Sequence, residues 1–378
     1  MGDTKYLLEE DCEYKYIPEM EKDLNHADKL RNISKDFIDR VLLSGEVSHT
    51  DYFLLRAISF FRFATAEMVA EYIRHFKNYY GSSAISKLLI PHVLPKTVNE
   101  VVHEWGDFDK DEDMIRYRLN RLAKKYLLLS YSVSYPYQDI NKLKVIYCIN
   151  YTSYNIVRSF FGNYINFSDS EIGYEKYYGV TPLARMFEEL HASRVAVLAF
   201  ANHNKKVLLL RDKEILFGAA RKTICPVMIA KIEYEERLFK IIIDPLHFTH
   251  DERVLTEEEH RENIIARLED YKDLIRHFRY MNRKHENRKK QEHIRFIFAV
   301  ENLEGMKKIA RLMNESKELF ADKVFFTTDL ALKNSEHLFE AVLMAKLTKN
   351  KVGDEFHLGL IRPSEEYLLA SNNEWMLE

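Results

Sequence analysis

The sequence predicts a two-part α+β/α/β protein, an N-terminal winged helix-turn-helix followed by a larger α/β domain on a mixed sheet. Three observations lead there. A basic amphipathic segment over 111–126 runs straight into two strand-like stretches, 127–135 and 144–151, joined by a polar tip at 136–143. From about residue 206, short apolar strand candidates come in succession, followed by a long amphipathic helix and a strand–helix–strand series. With 46% hydrophobic residues but only 11 glycines and 8 prolines among 378, the chain has material for packed cores and little for flexible linkers.

Residues 1–50 read as an acidic, partly helical arm, with 12 Asp/Glu against 7 Lys/Arg. Leu30, Ile33, Phe37 and Val41 recur at helical spacing, so this arm is expected to dock on the first domain or on a second subunit. Residues 51–165 form the winged unit. Its first helix, 52–63, carries Leu54, Leu55, Ile58, Phe61 and Phe63 on a broad apolar face. Thr65 stands where an N-cap belongs, with Glu67 and Glu71 near the positive end of the following dipole, so a positioning helix is expected over 65–73. Between it and 111 lie further helical pieces, 84–90 and 97–105, broken by Pro91 and Pro95. Either an insertion splits the helix-turn-helix or one of these pieces is the true partner helix.

At 100° per residue, Ile115, Leu119, Leu122 and Tyr126 share a narrow sector that faces a core. Arg116, Asn120, Arg121 and Lys124 fall on the other side, where a major groove or phosphate backbone would be met. In the tip, Lys142 would support them from the wing, with Tyr137, Gln138 and Asn141; Asp139 would oppose a phosphate. The bland alternative is a solvated basic face on an ordinary helix. A short helix at 153–161 closes the unit.

In the domain expected over 166–378, Thr181 and Pro182 are good helix-start residues, and Met186, Leu190, Val197 and Phe200 point inward along a helix to about 202. Strands are expected at 206–210, 227–233, 239–244, 294–300 and 324–328, and helices at 257–282, 304–320 and around 337–344. The run 276–295 holds 8 Lys/Arg against 2 Glu, with Phe278 and Tyr280 among them. It reads equally as a phosphate-tracking segment or as the solvated end of a helix.

A net charge of −3 argues against non-specific coating of DNA but leaves room for a local basic face. Cys12, Cys148 and Cys225 are widely spaced, with no paired motif for a disulfide framework or zinc finger. No apolar run approaches the ~20 residues of a membrane span, and the N-terminus lacks a signal-peptide layout. A cytoplasmic protein without membrane association is expected. Neither glycine-rich phosphate-loop pattern occurs, and no cofactor is expected.

The segments Leu54–Phe76, Arg116–Leu129, the paired wing strands and Val324–Leu332 give the chain a pattern that resembles the replication-relaxation family of plasmids and integrative elements. The resemblance spans most of 51–335. It implies a winged helix joined to a domain similar to the restriction-endonuclease fold, and a DNA-binding accessory role in replication, mobilisation or conjugative transfer. The partners it implies are double-stranded DNA and a relaxase or replication protein; a homodimer would suit a repeated site. The family's second domain often keeps a Pro-Asp … Glu-x-Asp pattern. Here Pro226 precedes Val227, and the strand that should carry paired acids reads Ile241, Ile242, Ile243, Asp244.

Nucleases of this type need two acids for Mg²⁺ and a lysine two residues after an acid. The nearest residues are Glu233, Glu235 and Asp244 with Lys231 and Lys240, and Lys231–Glu233 has the order reversed. The second domain is therefore expected to be non-catalytic, the alternative being a Mg²⁺-dependent nuclease using Asp244 and Glu233. Asp244, His247, His250 and Asp251 also cluster as candidate metal ligands, against the reading of a polar loop. A third alternative is a plasmid or phage interaction protein whose winged helix binds protein.

Overall fold

The computed structural model describes residues 35–44, 47–80, 112–133, 144–149, 183–201, 207–211, 213–218, 221–234, 237–248, 256–284, 292–315, 323–328, 331–332, 335, 338–349 and 356–361. Leu30 and Ile33 of the arm, the pieces at 84–90 and 97–105, the wing tip with Lys142, the helix expected at 153–161, and His250 and Asp251 lie outside them. The described residues divide into two compact units between Met186 and Phe187.

In the first unit, α1 (Lys35–Leu43) precedes α2 (His49–Phe61) and α3 (Ala66–Tyr80). Ser48 and Asp51 open α2 with a reciprocal cap: Ser48 Oγ accepts the Asp51 N–H at 3.2 Å and Asp51 Oδ2 accepts the Ser48 N–H at 2.9 Å. The helix buries Phe53, Leu54, Leu55, Ile58 and Phe61, as its apolar face requires. Thr65 does cap α3: its hydroxyl accepts the Met68 N–H at 3.3 Å and its carbonyl the Val69 N–H.

The basic helix α4 (Glu112–Lys124) packs directly on α3 although 31 residues, 81–111, separate them in sequence. Ile115, Leu119 and Leu122 are buried, each contributing roughly 1.5–3 kcal/mol. Tyr126 departs from expectation. It lies beyond the helix with φ +60°, and it is half-exposed. The reason is local. The Tyr126 N–H bonds to Ala123 O (2.9 Å) and the Leu127 N–H to Leu122 O (3.0 Å), the closing motif in which the residue between turns left-handed. A tyrosine occupies a place that usually falls to glycine, and its ring meets Phe37 edge-on at 6.0 Å.

That turn delivers the chain into β1 (Leu128–Val133), which pairs antiparallel with β2 (Lys144–Ile149) from Leu128↔Ile149 to Val133↔Lys144. Ala64, between α2 and α3, joins β2 at a single antiparallel bridge, through two backbone hydrogen bonds with Tyr147 (3.0 and 2.8 Å). Leu128, Leu129, Ile146, Tyr147 and Ile149 are all buried, so both faces of the hairpin are covered at this end.

The second unit is mixed α/β. After α5 (Leu183–Ala201) come β3 (Val207–Arg211), the hairpin β4 (Ile215–Phe217) and β5 (Lys222–Ile224), then β6 (Met228–Tyr234) and β7 (Arg237–Pro245). The 28-residue α6 (Glu257–Lys284), β8 (Glu292–Ala299), α7 (Leu303–Glu315), β9 (Val324–Thr327), α8 (Leu338–Ala341) and the hairpin of β10 (Met344–Lys349) and β11 (Phe356–Ile361) complete it. The five-stranded sheet has order β3-β6-β7-β8-β9, antiparallel through β7 and parallel beyond.

Alternation along the strands separates its faces. Ile242, Phe296, Phe298 and Phe326 share a cluster with Ile264, Leu268, Tyr271 and Leu274 of α6 and Met306 and Ile309 of α7. On the other face α5 is tied to β3 by Arg211, which donates to Glu189 at 2.8 Å and to Ser193 at 2.6 Å. The β4–β5 and β10–β11 hairpins were not expected from the sequence. Among the described residues, no helix is long and apolar enough to cross a membrane.

Candidate nucleic-acid interface

The cations of α4 do not form one free row. They divide by angle into two flanks and a crest. Arg118, about 60° from the buried stripe, turns toward the start of α2, where its Nη1 reaches Ser48 Oγ at 2.8 Å and Asp51 Oδ1 at 3.3 Å. Arg121, one position round on the same flank, places Nη2 3.6 Å from Asp51 Oδ2. Asp51 is only 1% exposed, so both guanidinium groups answer a buried carboxylate. Arg121 keeps its place on the outward side, 40% exposed, while one guanidinium nitrogen lies within ion-pair range of the cap of α2.

On the opposite flank, Arg116 is half-exposed and pairs within its own helix, with Glu112 one turn back and with Asp113 at 3.0 Å. Exposed pairs of this kind contribute ~0.5 kcal/mol or less, so a phosphate can replace them at little cost. Asn120 is exposed, yet its Oδ1 accepts a hydrogen bond from the Tyr147 hydroxyl of β2 at 2.8 Å. Burial raises that hydroxyl to about 12, against the pull of the Arg116 charge, so it stays protonated and donates. With Oδ1 accepting, the Asn120 amide nitrogen remains as a donor, and the bond links the helix to the hairpin.

Lys124 is exposed at the crest, and beside it stands Tyr117, 63% exposed and unforeseen from the sequence. Tyr117, Asn120, Arg121 and Lys124 follow the i, i+3, i+4, i+7 spacing of one outward ridge. The first turn carries Glu112 and Asp113, which repel a polyanion at that end and offset the Arg116 charge, so the positive field of the helix lies toward Arg121 and Lys124 in its last turn. The partners Ser48 and Asp51 had a sequence signal, the Ser-x-x-Asp pattern before an apolar run. Nothing local signalled Tyr147, whose role depends on strand pairing.

In the second unit, Asp244 and Glu233, the described acids weighed for metal chemistry, are not brought together. Asp244 is fully buried. Its Oδ1 accepts the Val227 N–H at 3.2 Å, and its Oδ2 meets the Tyr271 hydroxyl and Arg267 Nη2. Burial raises its carboxyl, and Arg267, Tyr271 and Val227 pull it back. Glu233 is exposed opposite Leu238, six residues along β7 from Asp244, roughly 20 Å away at strand rise. His247 is buried with Nε2 2.7 Å from His191 Nδ1, and its carbonyl accepts from His260 Nε2 at 2.6 Å. Burial, then the neighbouring His191, holds it well below the usual histidine range, so it is a neutral core histidine. No cluster of three metal-ligating side chains occurs among the described residues. Lys231 and Lys240 face each other across β6 and β7. Comparison with protein-family models, curated proteins and solved structures gave no match to this chain.

Proposed function

We propose that the first unit is a winged helix that binds double-stranded DNA, and that the protein serves as an accessory factor of a mobile genetic element, in replication, mobilisation or transfer. The observation that carries the DNA reading is the junction of α4 with the β1–β2 hairpin, held by the Tyr147–Asn120 hydrogen bond beneath an exposed ridge. In this reading α4 enters the major groove, Asn120 offers an amide donor to a base edge, and Arg116 and Lys124 meet phosphates. Arg121 acts mainly by holding the helix, with Lys142 of the wing tip as an expected backbone contact. The second unit, read as a nuclease-like domain without catalysis, would recruit a relaxase or replication protein or pair two copies of the chain. Supporting the non-catalytic reading is Asp244, whose oxygens are occupied by protein donors.

Mobility shift on random and element-derived duplexes over a salt series tests the reading. Affinity should fall steeply with salt, and Arg116→Ala and Lys124→Ala should each lower the logarithmic salt slope by about 1. Asn120→Ala should weaken the preferred site by about 1–3 kcal/mol, and weaken it more than random duplex. Salt-insensitive retention, or slopes unmoved by both cation variants, would defeat it.

A further inference from the structure

The second unit holds a cleft of about 460 Å³ between the β4–β5 hairpin, one sheet face and the end of α6. Strand register builds its floor. Lys231 of β6 and Lys240 of β7 are direct cross-strand partners, an arrangement of like charges that is unfavourable unless something neutralises it. Glu292 of β8 answers Lys240 with a 2.5 Å ion pair. Lys231 has no hydrogen bond or ion pair with the described residues, and neither has Lys213 at the mouth. Burial and then the Lys240 charge hold the Lys231 ammonium below the usual lysine range, against the pull of Glu292.

The wall formed by α6 is part apolar and part polar. Phe278 and Met281 of α6 line it, with the Lys240 ammonium 5.4 Å from the Phe278 ring centre. His277 adds a donor: its Nδ1 accepts the Gly218 N–H at 3.3 Å, which leaves the proton on Nε2. An inorganic anion would leave the apolar part of that wall empty, and an apolar ligand would leave the ammonium groups unanswered. The volume falls within the range of small-molecule sites.

We propose that this cleft binds a nucleoside monophosphate, with the phosphate answered by Lys231 and Lys213 and the base against Phe278 and Met281. The proposal stands apart from the reading of the first unit, and no step of it passes through α4. The same chemistry is offered by a free nucleotide and by the phosphorylated end of a strand.

Calorimetric titration of the full chain tests it, with adenosine and thymidine 5′-monophosphates as probes. At least one should bind about tenfold more tightly than adenosine, thymidine or inorganic phosphate. Lys231→Met should weaken it about tenfold or more while leaving the thermal midpoint unchanged or higher, because a like-charge contact is removed. Lys213→Ala, at an exposed position where folding is not at stake, should give a smaller loss in the same direction. A 5′-phosphorylated dinucleotide, too short to span a groove, is run alongside: tighter binding than the mononucleotides assigns a strand end, weaker binding a free nucleotide. Absence of binding by both mononucleotides, equal binding by the nucleosides, or affinity unmoved by both lysine variants would overturn the proposal.

Discussion

Asp51 in the first unit and Asp244 in the second are both buried aspartates, and they use arginine in opposite ways. Asp51 is spread thin. It closes a helix cap with one oxygen and reaches across to Arg118 and Arg121, whose side chains are 19% and 40% exposed. Asp244 is enclosed, with Val227, Tyr271 and Arg267 all donating to it. The first arrangement orients a surface helix and leaves cations within reach of solvent; the second fastens α6 to β7 and spends the acid on stability. An acid near arginines is thus no guide to function until its remaining lone pairs are counted.

The sharpest way to break that contrast is Asp244→Ala. Removing it leaves the Arg267 guanidinium, the Tyr271 hydroxyl and the Val227 N–H without their acceptor, and the loss should be about 3 kcal/mol, after allowing for the partial exposure of Arg267. Denaturant unfolding reads it, and a loss below ~1 kcal/mol would mean that the enclosure contributes little.

Asp51→Ala should cost about 2 kcal/mol, from the lost cap and two partly exposed ion pairs. It should also weaken DNA binding through misplacement of α4, an effect that Arg118→Ala should reproduce in part. If Asp51→Ala lowers stability with DNA affinity intact, the orienting role is wrong.

The mildest probe is acid. In the unfolded chain His247 and His293 titrate near 6.5, but burial holds His247 well below that value and His293 at about 4. The unfolded chain therefore binds more protons below 6.5, so the stability these groups confer is present above that pH and is lost as pH falls toward 4. From about pH 7 to about pH 6 the thermal midpoint should drop by a few degrees. His293→Phe, which keeps a ring against Phe239, should flatten part of the drop. An unchanged acid dependence in that variant would remove His293 from the account.

What the sequence disclosed followed period and length. Ile115, Leu119 and Leu122 repeat at 3.6, and the long α6 and the strands of the central sheet were found within a few residues of their observed ends. The three-residue strands β4 and β5 are too short for any alternation to register, so one wall of the nucleotide cleft went unseen. Arg121 was placed on the correct side of its helix, but its partner lies 70 residues upstream and a helical wheel contains no neighbours. Tyr126 continued the apolar spacing one turn too far, because no glycine marked the left-handed exit. The confrontation of Lys231 with Lys240 was within reach: the pairing of Tyr234 with Arg237 sets every residue opposite its mirror position.

The two hydrogen bonds between Ala64 and Tyr147 also govern when the first unit can assemble. They join positions 83 residues apart, so the helices synthesised first cannot acquire their full sheet until the second wing strand has left the ribosome. Loop-closure entropy over that span must be met before the contact returns anything, which makes this a late and slow event in folding. Nascent chains ending before β2 should therefore remain open to proteases at α2 and α3, although the sequence of both helices is already complete.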